Sequence, residues 1–580
     1  MQLVRRFQLP ALFCAFAVLV CELIARPYAK MGVCDDGPYI LVAQNLADTG
    51  HVAYNGWSAA MLGWQLYLGA AFIKLFGFSF TAVRMSTLLV AMALAFFLQR
   101  IMVRANISER NATIGTLALV LSPLYLLLSA TFMTDITGLF GIVICLYGCL
   151  RALQATTSRA VIGWIFFAVA TNAICGTSRQ IAWLGVLVMV PSTLWLLRAR
   201  RSVLLAGIAA TLAGVLFIVG CLLWLKQQPY TTPEKFMVSS FPVAYFLSQF
   251  VRFFLDIPFL LLPIFAVFLP EIRKSRPRVI AVVMVVCLVY ARLALHRAYL
   301  PLLEPTLRDV AGCDWIDIHG VYESLSNGEP SIFLHTWMQS LLTIASFGGL
   351  IGLIISFFRS PQTSPAMGVS TEVSWKQLGV LLAPFTVSYI LLLIYRAASV
   401  ANDGTGILFD RYSLGLLLVA LFCLVRYYQD RIHPRLPVAS FLLVAIIALY
   451  GITVTHNTFA LYRARIAIAS ELRAAGISDA SVDNGWEYNL SVELRYSDHV
   501  NNPDIILPVN AYVRTPPLAP GTCPMHDLDY TPHIHPLYGV SFDPNACYGP
   551  ASFAPVHYSR WLDSTPGTLY VVRYIGTTKP

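Results

Sequence analysis

Apolar runs of about 17 to 25 residues recur along the chain, each long enough to cross a ~30 Å hydrocarbon layer. They lie near 8–25, 82–99, 111–130, 136–152, 160–176, 181–197, 203–225, 246–270, 279–296, 331–358, 377–395, 406–425 and 437–456. This pattern predicts about thirteen membrane-spanning helices. One further run, Ala60 to Phe78, is amphipathic, contains Lys74, and has Trp57, Trp64 and Tyr67 at interface-like positions.

Basic residues decide how that run lies. With Arg5 and Arg6 in the cytoplasm and 60–78 along the membrane surface, the later basic clusters all fall inside. These are Arg100/Arg104/Arg110, Arg151/Arg159, Arg198/Arg200/Arg201, EIRKSRPR (271–278), Arg359 and RYYQDRIHPR (426–435). A full crossing by 60–78 would move nearly all of them outside, so a juxtamembrane helix within a first outer loop, 27–81, is expected. The first apolar run also reads as a cleaved signal peptide, although no small-x-small cleavage site follows it.

Beyond residue 456 the pattern changes. The tail 457–580 is polar and rich in Pro, Asn, Asp and Tyr, with a helix-like start (TFALYRARIAIASELRAAG) and strand-like pieces, DIILPVNAYV and TLYVVRYIG. The expected architecture is mainly α: a transmembrane bundle over 1–456 and a small C-terminal α/β extracytoplasmic domain over 457–580.

Composition supports this. Of 580 residues 57% are hydrophobic and 12% charged, and the mean hydropathy is +0.67, so the principal solvent is lipid. The net charge of +10 sits in short clusters between apolar runs, which sets topology and argues against a nucleic-acid partner. Of the twelve cysteines, Cys34, Cys313, Cys523 and Cys547 fall outside, where disulfides persist. Cys523 and Cys547 flank one loop and are expected to pair; Cys34 with Cys313 is left open.

Candidate chemistry gathers on the outer face. Asp35 and Asp36 follow the first span within MGVCDDGPYILVAQNLADTG (31–50). Alone they read equally as a span boundary. The same topology brings Asp135, Arg179 and Asp410-Arg411-Tyr412 to that face. An acid there can take a proton from an attacking hydroxyl, and fixed arginines can neutralise a departing phosphate. Asp135 also reads as a helix N-cap, and each arginine as a headgroup contact. The long loop 297–330 holds Glu304 and Arg308, which suit an acceptor cleft or a solvated surface.

DDGPYILVAQNLADTG resembles the D-E-x-x-Y-x-x-x-A-x-x-(L/M)-x-x-x-G stretch of the C-type (GT-C) integral membrane glycosyltransferases, which include the protein O-mannosyltransferases and aminoarabinose transferases. Asp35, Asp36, Tyr39, Ala43 and Gly50 fall on its fixed positions. Phe78-Ser79 with Arg84, FMTDITG around Asp135, and FDRYSLGLLL around Arg411-Tyr412 are similar to stretches found there. The resemblance implies inverting transfer of a sugar from a polyprenyl-phosphate donor to a glycan, lipid or protein hydroxyl outside the cytoplasm, in a bacterial inner membrane with a periplasmic tail.

On that resemblance Asp35 is the general base, Asp36 orients acceptor, donor or a divalent metal, and Asp135 is a second acid. Arg179 and Arg411 meet the leaving phosphate, and Tyr39 and Tyr412 line the substrate. The lysine that the aminoarabinose transferases carry after the first-loop glycine, which meets the lipid phosphate, is missing from WSAAMLGWQ, leaving Lys74 as a substitute or as a snorkelling interface residue. A lipid-linked glycan flippase or transporter, or an O-antigen ligase or polymerase, is the alternative. Transporters favour ionisable groups near the bilayer midplane and repeated halves; here mid-span candidates are few, Asp256 and Arg292 among them, and the sequence shows no internal repeat.

Overall fold

A computed structural model describes residues 2–57, 62–232, 257–274, 325–358, 373–403, 409–525 and 527–576, with isolated positions between 277 and 285. The spans expected at 246–270 and 279–296 lie partly or mostly outside the described residues. Asp256, Arg292, Glu304, Arg308 and Cys313 lie wholly outside them.

The chain opens with α1 (Gln2–Ala25), α2 (Asp36–Thr49), α3 (Trp64–Phe76), α4 (Phe80–Arg104), α5 (Glu109–Val120), α6 (Pro123–Ser129), α7 (Thr134–Gln154) and α8 (Ser158–Cys175). It continues through α9 (Val190–Leu196), α10 (Arg201–Leu225), α11 (Leu262–Phe265), α12 (Leu269–Arg273) and α13 (Thr336–Phe357). Last come α14 (Trp375–Asp403), α15 (Leu414–Arg431), α16 (Val438–Ala474) and α17 (Trp486–Ser497).

Among the described residues, eight helices are long and apolar enough to cross a membrane: α1, α4, α7, α8, α10, α14, α15 with the turn before it, and α16. The protein is a multi-pass membrane helical bundle. The run expected to span at 111–130 is instead two helices, α5 and α6, bent by 67°. Pro123 cannot continue the amide ladder, and Ser122 caps the new helix by accepting from the Tyr125 amide at 3.3 Å. The run near 181–197 is also irregular: a 3-10 turn (Gln180–Trp183) and a π turn (Gly185–Met189) precede α9.

α3 has 13 residues, about 20 Å of helix at 1.5 Å per residue, too short to cross. Its buried face is Gln65, Leu66, Gly69, Ala70 and Ile73, as an amphipathic surface helix requires. α16 has 37 residues, so the helix runs on without a break past residue 456, where the hydropathy pattern changes. The polar half of α16 carries Tyr462 and Arg465 into the C-terminal unit, where both are fully buried.

That unit holds a four-stranded sheet of β1 (Val482–Asp483), β2 (Tyr538–Ser541), β3 (Val556–Tyr558) and β4 (Gly567–Arg573), in the order β1-β2-β4-β3. β1 and β2 are parallel, the other pairs antiparallel. TLYVVRYIG supplies β4 as expected. DIILPVNAYV does not form a strand: Ile506, Val509 and Val513 are exposed along a turn-rich segment. Cys523 and Cys547 form the expected disulfide, while Cys34 is a buried free thiol. Asn327, at the end of the long outer loop, bridges to Ser541 at the sheet edge.

Candidate active site

The acid pair divides into two environments. Asp36 is fully buried. Its Oδ2 meets Arg84 Nε at 2.7 Å and its Oδ1 meets Arg84 Nη2 at 3.0 Å. Its carboxylate also accepts the Val33 amide at 2.8 Å and the Phe132 amide at 3.1 Å. Four donors saturate it.

Arg84 reaches that position because Ser79 caps α4, accepting the Ala82 amide at 3.0 Å, which sets Arg84 in the second turn. Arg84 Nη1 and Nη2 also donate to the carbonyls of Ala29 and Met31 at 3.1 and 2.7 Å. One arginine thus stitches the 29–36 connection to α4, and Asp36 ties it to the corner before α7.

Asp35 stands at the N-cap of α2, yet its side chain makes no cap hydrogen bond. About a third of it is exposed, and Arg411 Nη2 lies 3.6 Å from its Oδ2. The Trp486 side chain is near enough to lower its pKa. Desolvation raises the Asp35 pKa above the ordinary carboxylate value; Arg411 opposes this, Glu487 adds to it, and the Trp486 indole opposes it.

A second acid–arginine pair adjoins the first. Arg179 Nη1 lies 2.8 Å from Asp135 Oδ1 and 3.1 Å from Thr134 Oγ1. Asp135 sits in the first turn of α7, and the corner behind it is held by Gln65, whose Nε2 donates to the carbonyls of Phe132 and Met133 at 3.0 and 3.2 Å. Thr137 donates to Gln65 Oε1. The glycine of FMTDITG has a spatial reason: a Cβ on Gly138 would stand 2.8 Å from Arg179 Cβ and Cδ, so only glycine leaves room for that stem.

Tyr412 joins the two pairs. Its ring lies 5.3 Å from the Arg179 guanidinium and 5.7 Å from that of Arg411, within cation–π range. Tyr389 donates to the Tyr412 carbonyl at 3.0 Å and packs its ring over Gly415, which fixes the turn bearing Arg411. The structure therefore unites Asp35, Arg411, Tyr412, Arg179 and Asp135.

Other expected members stand elsewhere. Lys74 is exposed on the last turn of α3 and makes no hydrogen bond or ion pair among the described residues. Tyr39 is buried on α2. The cluster does not suit a divalent metal. Asp36 has its lone pairs engaged, Asp35 and Asp135 each face an arginine, and no group of three metal-ligating side chains occurs among the described residues.

The C-terminal unit contributes a wall that motif reading missed. Beside Trp486, Glu487 is fully buried, 3.1 Å from Arg465 Nη1, and accepts from the Tyr462 hydroxyl at 2.5 Å. That hydroxyl in turn takes the Cys34 amide at 3.4 Å, linking α16 and α17 to the residue before Asp35. Nothing in the sequence sets Arg465 and Glu487 apart from the other charges of these polar segments, Arg463, Glu471, Arg473, Glu493 and Arg495.

No family model and no curated protein matches the chain. Among solved structures, it is similar to the crystal structure of ArnT from Cupriavidus metallidurans in the apo state, with a TM-score of 0.42 and 13% identity over 96% of each chain. It is similar at a TM-score of 0.42 and 12% identity to ArnT from the same organism bound to undecaprenyl phosphate, over 97% of this chain and 98% of that one. Archaeal oligosaccharyltransferase AglB from Archaeoglobus fulgidus, in complex with an inhibitory peptide and a dolichol-phosphate, aligns at a TM-score of 0.32 and 13% identity over 82% of this chain and 53% of its own. ArnT and AglB are both glycosyltransferases of the C-type fold.

Proposed function

We propose that the protein is a membrane glycosyltransferase that moves one sugar from a polyprenyl-phosphate donor to an acceptor hydroxyl, with inversion. The observation that carries the reading is the uncapped, partly exposed Asp35 facing Arg411, one tyrosine ring away from Arg179 and Asp135.

Asp35 takes the acceptor's hydroxyl proton while the acceptor oxygen bonds to the anomeric carbon. The bond from that carbon to the phosphate oxygen breaks, and its electron pair leaves with the lipid phosphate. Arg411 and Arg179 meet the phosphate charge, as planar guanidiniums suit. A raised pKa makes Asp35 a stronger base than an ordinary carboxylate. Asp36 holds the loop that aims Asp35, and Asp135 keeps Arg179 oriented.

In this reading the site and the C-terminal unit face the periplasm of a bacterial inner membrane. The acceptor is a glycan, a lipid or a protein.

The test is transfer of radiolabelled sugar from polyprenyl-phosphate donors by membranes carrying wild type or Asp35→Asn at matched expression. The expected loss is about 10²- to 10⁴-fold in turnover, with donor binding retained. Wild-type turnover by Asp35→Asn would remove Asp35 as the base and move a transport role ahead.

A further inference from the structure

The segment 505–513 exposes apolar side chains that no fold requirement explains. Val509 is 84% exposed, Val513 65% and Ile506 62%. In water such a patch is unfavourable by roughly 25 cal/mol per Å², and this alternating stretch would ordinarily be paired as a strand.

Its tether says where it lies. The Leu507 carbonyl accepts the Tyr230 amide at 2.6 Å, and the Gly56 amide donates to the Tyr230 carbonyl at 3.0 Å. The Tyr230 ring packs on His499, centroids 4.6 Å apart. Tyr230 is the fifth residue after Leu225, where α10 ends, and α10 is one of the helices apolar enough to cross the bilayer.

Successive turn hydrogen bonds at Lys226, Gln227 and Gln228 keep the intervening residues compact. At ~1.5 to 2 Å per residue, Tyr230 stands no more than about 10 Å beyond the helix end, near the outer edge of the headgroup layer, which is about 5 to 8 Å deep. Trp224, partly exposed in the last turn and edge-on to Tyr54, marks the same level, where aromatic residues concentrate. Arg514, exposed beside the apolar stretch, suits lipid phosphates.

We propose that residues 506–513 insert into the headgroup–acyl boundary of the leaflet reached by the C-terminal end of α10, anchoring the C-terminal unit to the bilayer. The proposal rests on the membrane reading of α10 and is independent of the transfer chemistry. A polar loop would leave this unit held only by its contacts with the helices; an inserted one fixes its height above the lipid.

The test places a polarity-sensitive fluorophore at Val509→Cys in the full chain in nanodiscs, with lipids brominated on the acyl chain as quencher. The free cysteines among the described residues are buried or half-buried, and the chain without an added cysteine, labelled in parallel, sets the background. Glu471→Cys, exposed near the far end of α16, is the reference, and Ile506→Cys is a second probe. Quenching of at least about twofold at 509 and 506 with none at 471 is expected for an inserted loop. Equal behaviour at all three positions, or shielding at 509 and 506 without lipid quenching, as another protein surface or a second copy would give, overturns the proposal.

Discussion

Asp36→Asn separates the two adjacent acids by energy. The variant preserves shape and one acceptor oxygen but removes the charge opposite Arg84, which is 3% exposed. Breaking a buried ion pair from one side costs about 3 to 5 kcal/mol, because the remaining charge is uncompensated. The asparagine amide also places a donor toward Arg84 or toward the amide of Val33 or Phe132, adding about 1 to 3 kcal/mol for the lost acceptor.

The assay is thermal unfolding of purified protein in nanodiscs, wild type against Asp36→Asn, Asp35→Asn and the double variant Asp36→Asn/Arg84→Gln. Asp36→Asn should unfold several degrees lower. Asp35→Asn, at a partly exposed site, should stay within about 1 kcal/mol of wild type. The double variant should recover part of the loss because no buried charge remains, giving a coupling energy above about 1 kcal/mol. The reasoning fails if Asp36→Asn is as stable as wild type, or if the two substitutions simply add.

Trp486→Phe keeps the ring and removes the indole N–H from Asp35. The nearby indole lowers the Asp35 pKa, so its loss raises the pKa further. Since the base acts deprotonated, the acid limb of kcat/KM should move to higher pH and full rate should return above it; an unmoved limb would show that Trp486 does not act on Asp35. Burial, with Asp483 and then Glu487 nearby, pushes Asp527 up to about 7. The folded state therefore favours the protonated acid, and its stabilisation is lost as pH rises from about 4 through 7. Scanning calorimetry of Asp527→Asn should show a flatter dependence of melting temperature between pH 5 and 8 than wild type, and matching slopes would refute the assignment.

Much of the membrane part is legible from run lengths because lipid imposes one rule on every span. α3 is the exception: its run, 60–78, is long enough to cross, and it is the basic clusters further along that lay it on the surface, as its 13-residue helix fits. Hydropathy cannot report backbone continuity, which is why α16 passes unbroken through a change of solvent at residue 456. The acid pair, Arg179, Arg411 and Asp135 are legible as a group because topology alone brings them to one face.

Which acid stays partly exposed is not legible from the residue pattern, since that depends on a capping geometry Asp35 does not use and on an arginine 48 residues away from Asp36. DIILPVNAYV misleads for a different reason. Alternation signals a strand only where one face meets water and the other a protein core.

The contact between Asp35 and Trp486 also sets a timetable for biogenesis. The two residues are separated by about 450 positions, and at 5 to 20 residues per second the ribosome needs roughly 20 to 90 s to deliver the second after the first. Arg411 arrives late in that interval, and α17 must still dock against Cys34 through Tyr462. Through most of synthesis the nascent chain therefore carries its acid without its cation or its indole. On the proposed chemistry, a half-inserted chain would lack the groups that act on a donor lipid, and a truncation before α17 is expected to span the membrane without transferring sugar.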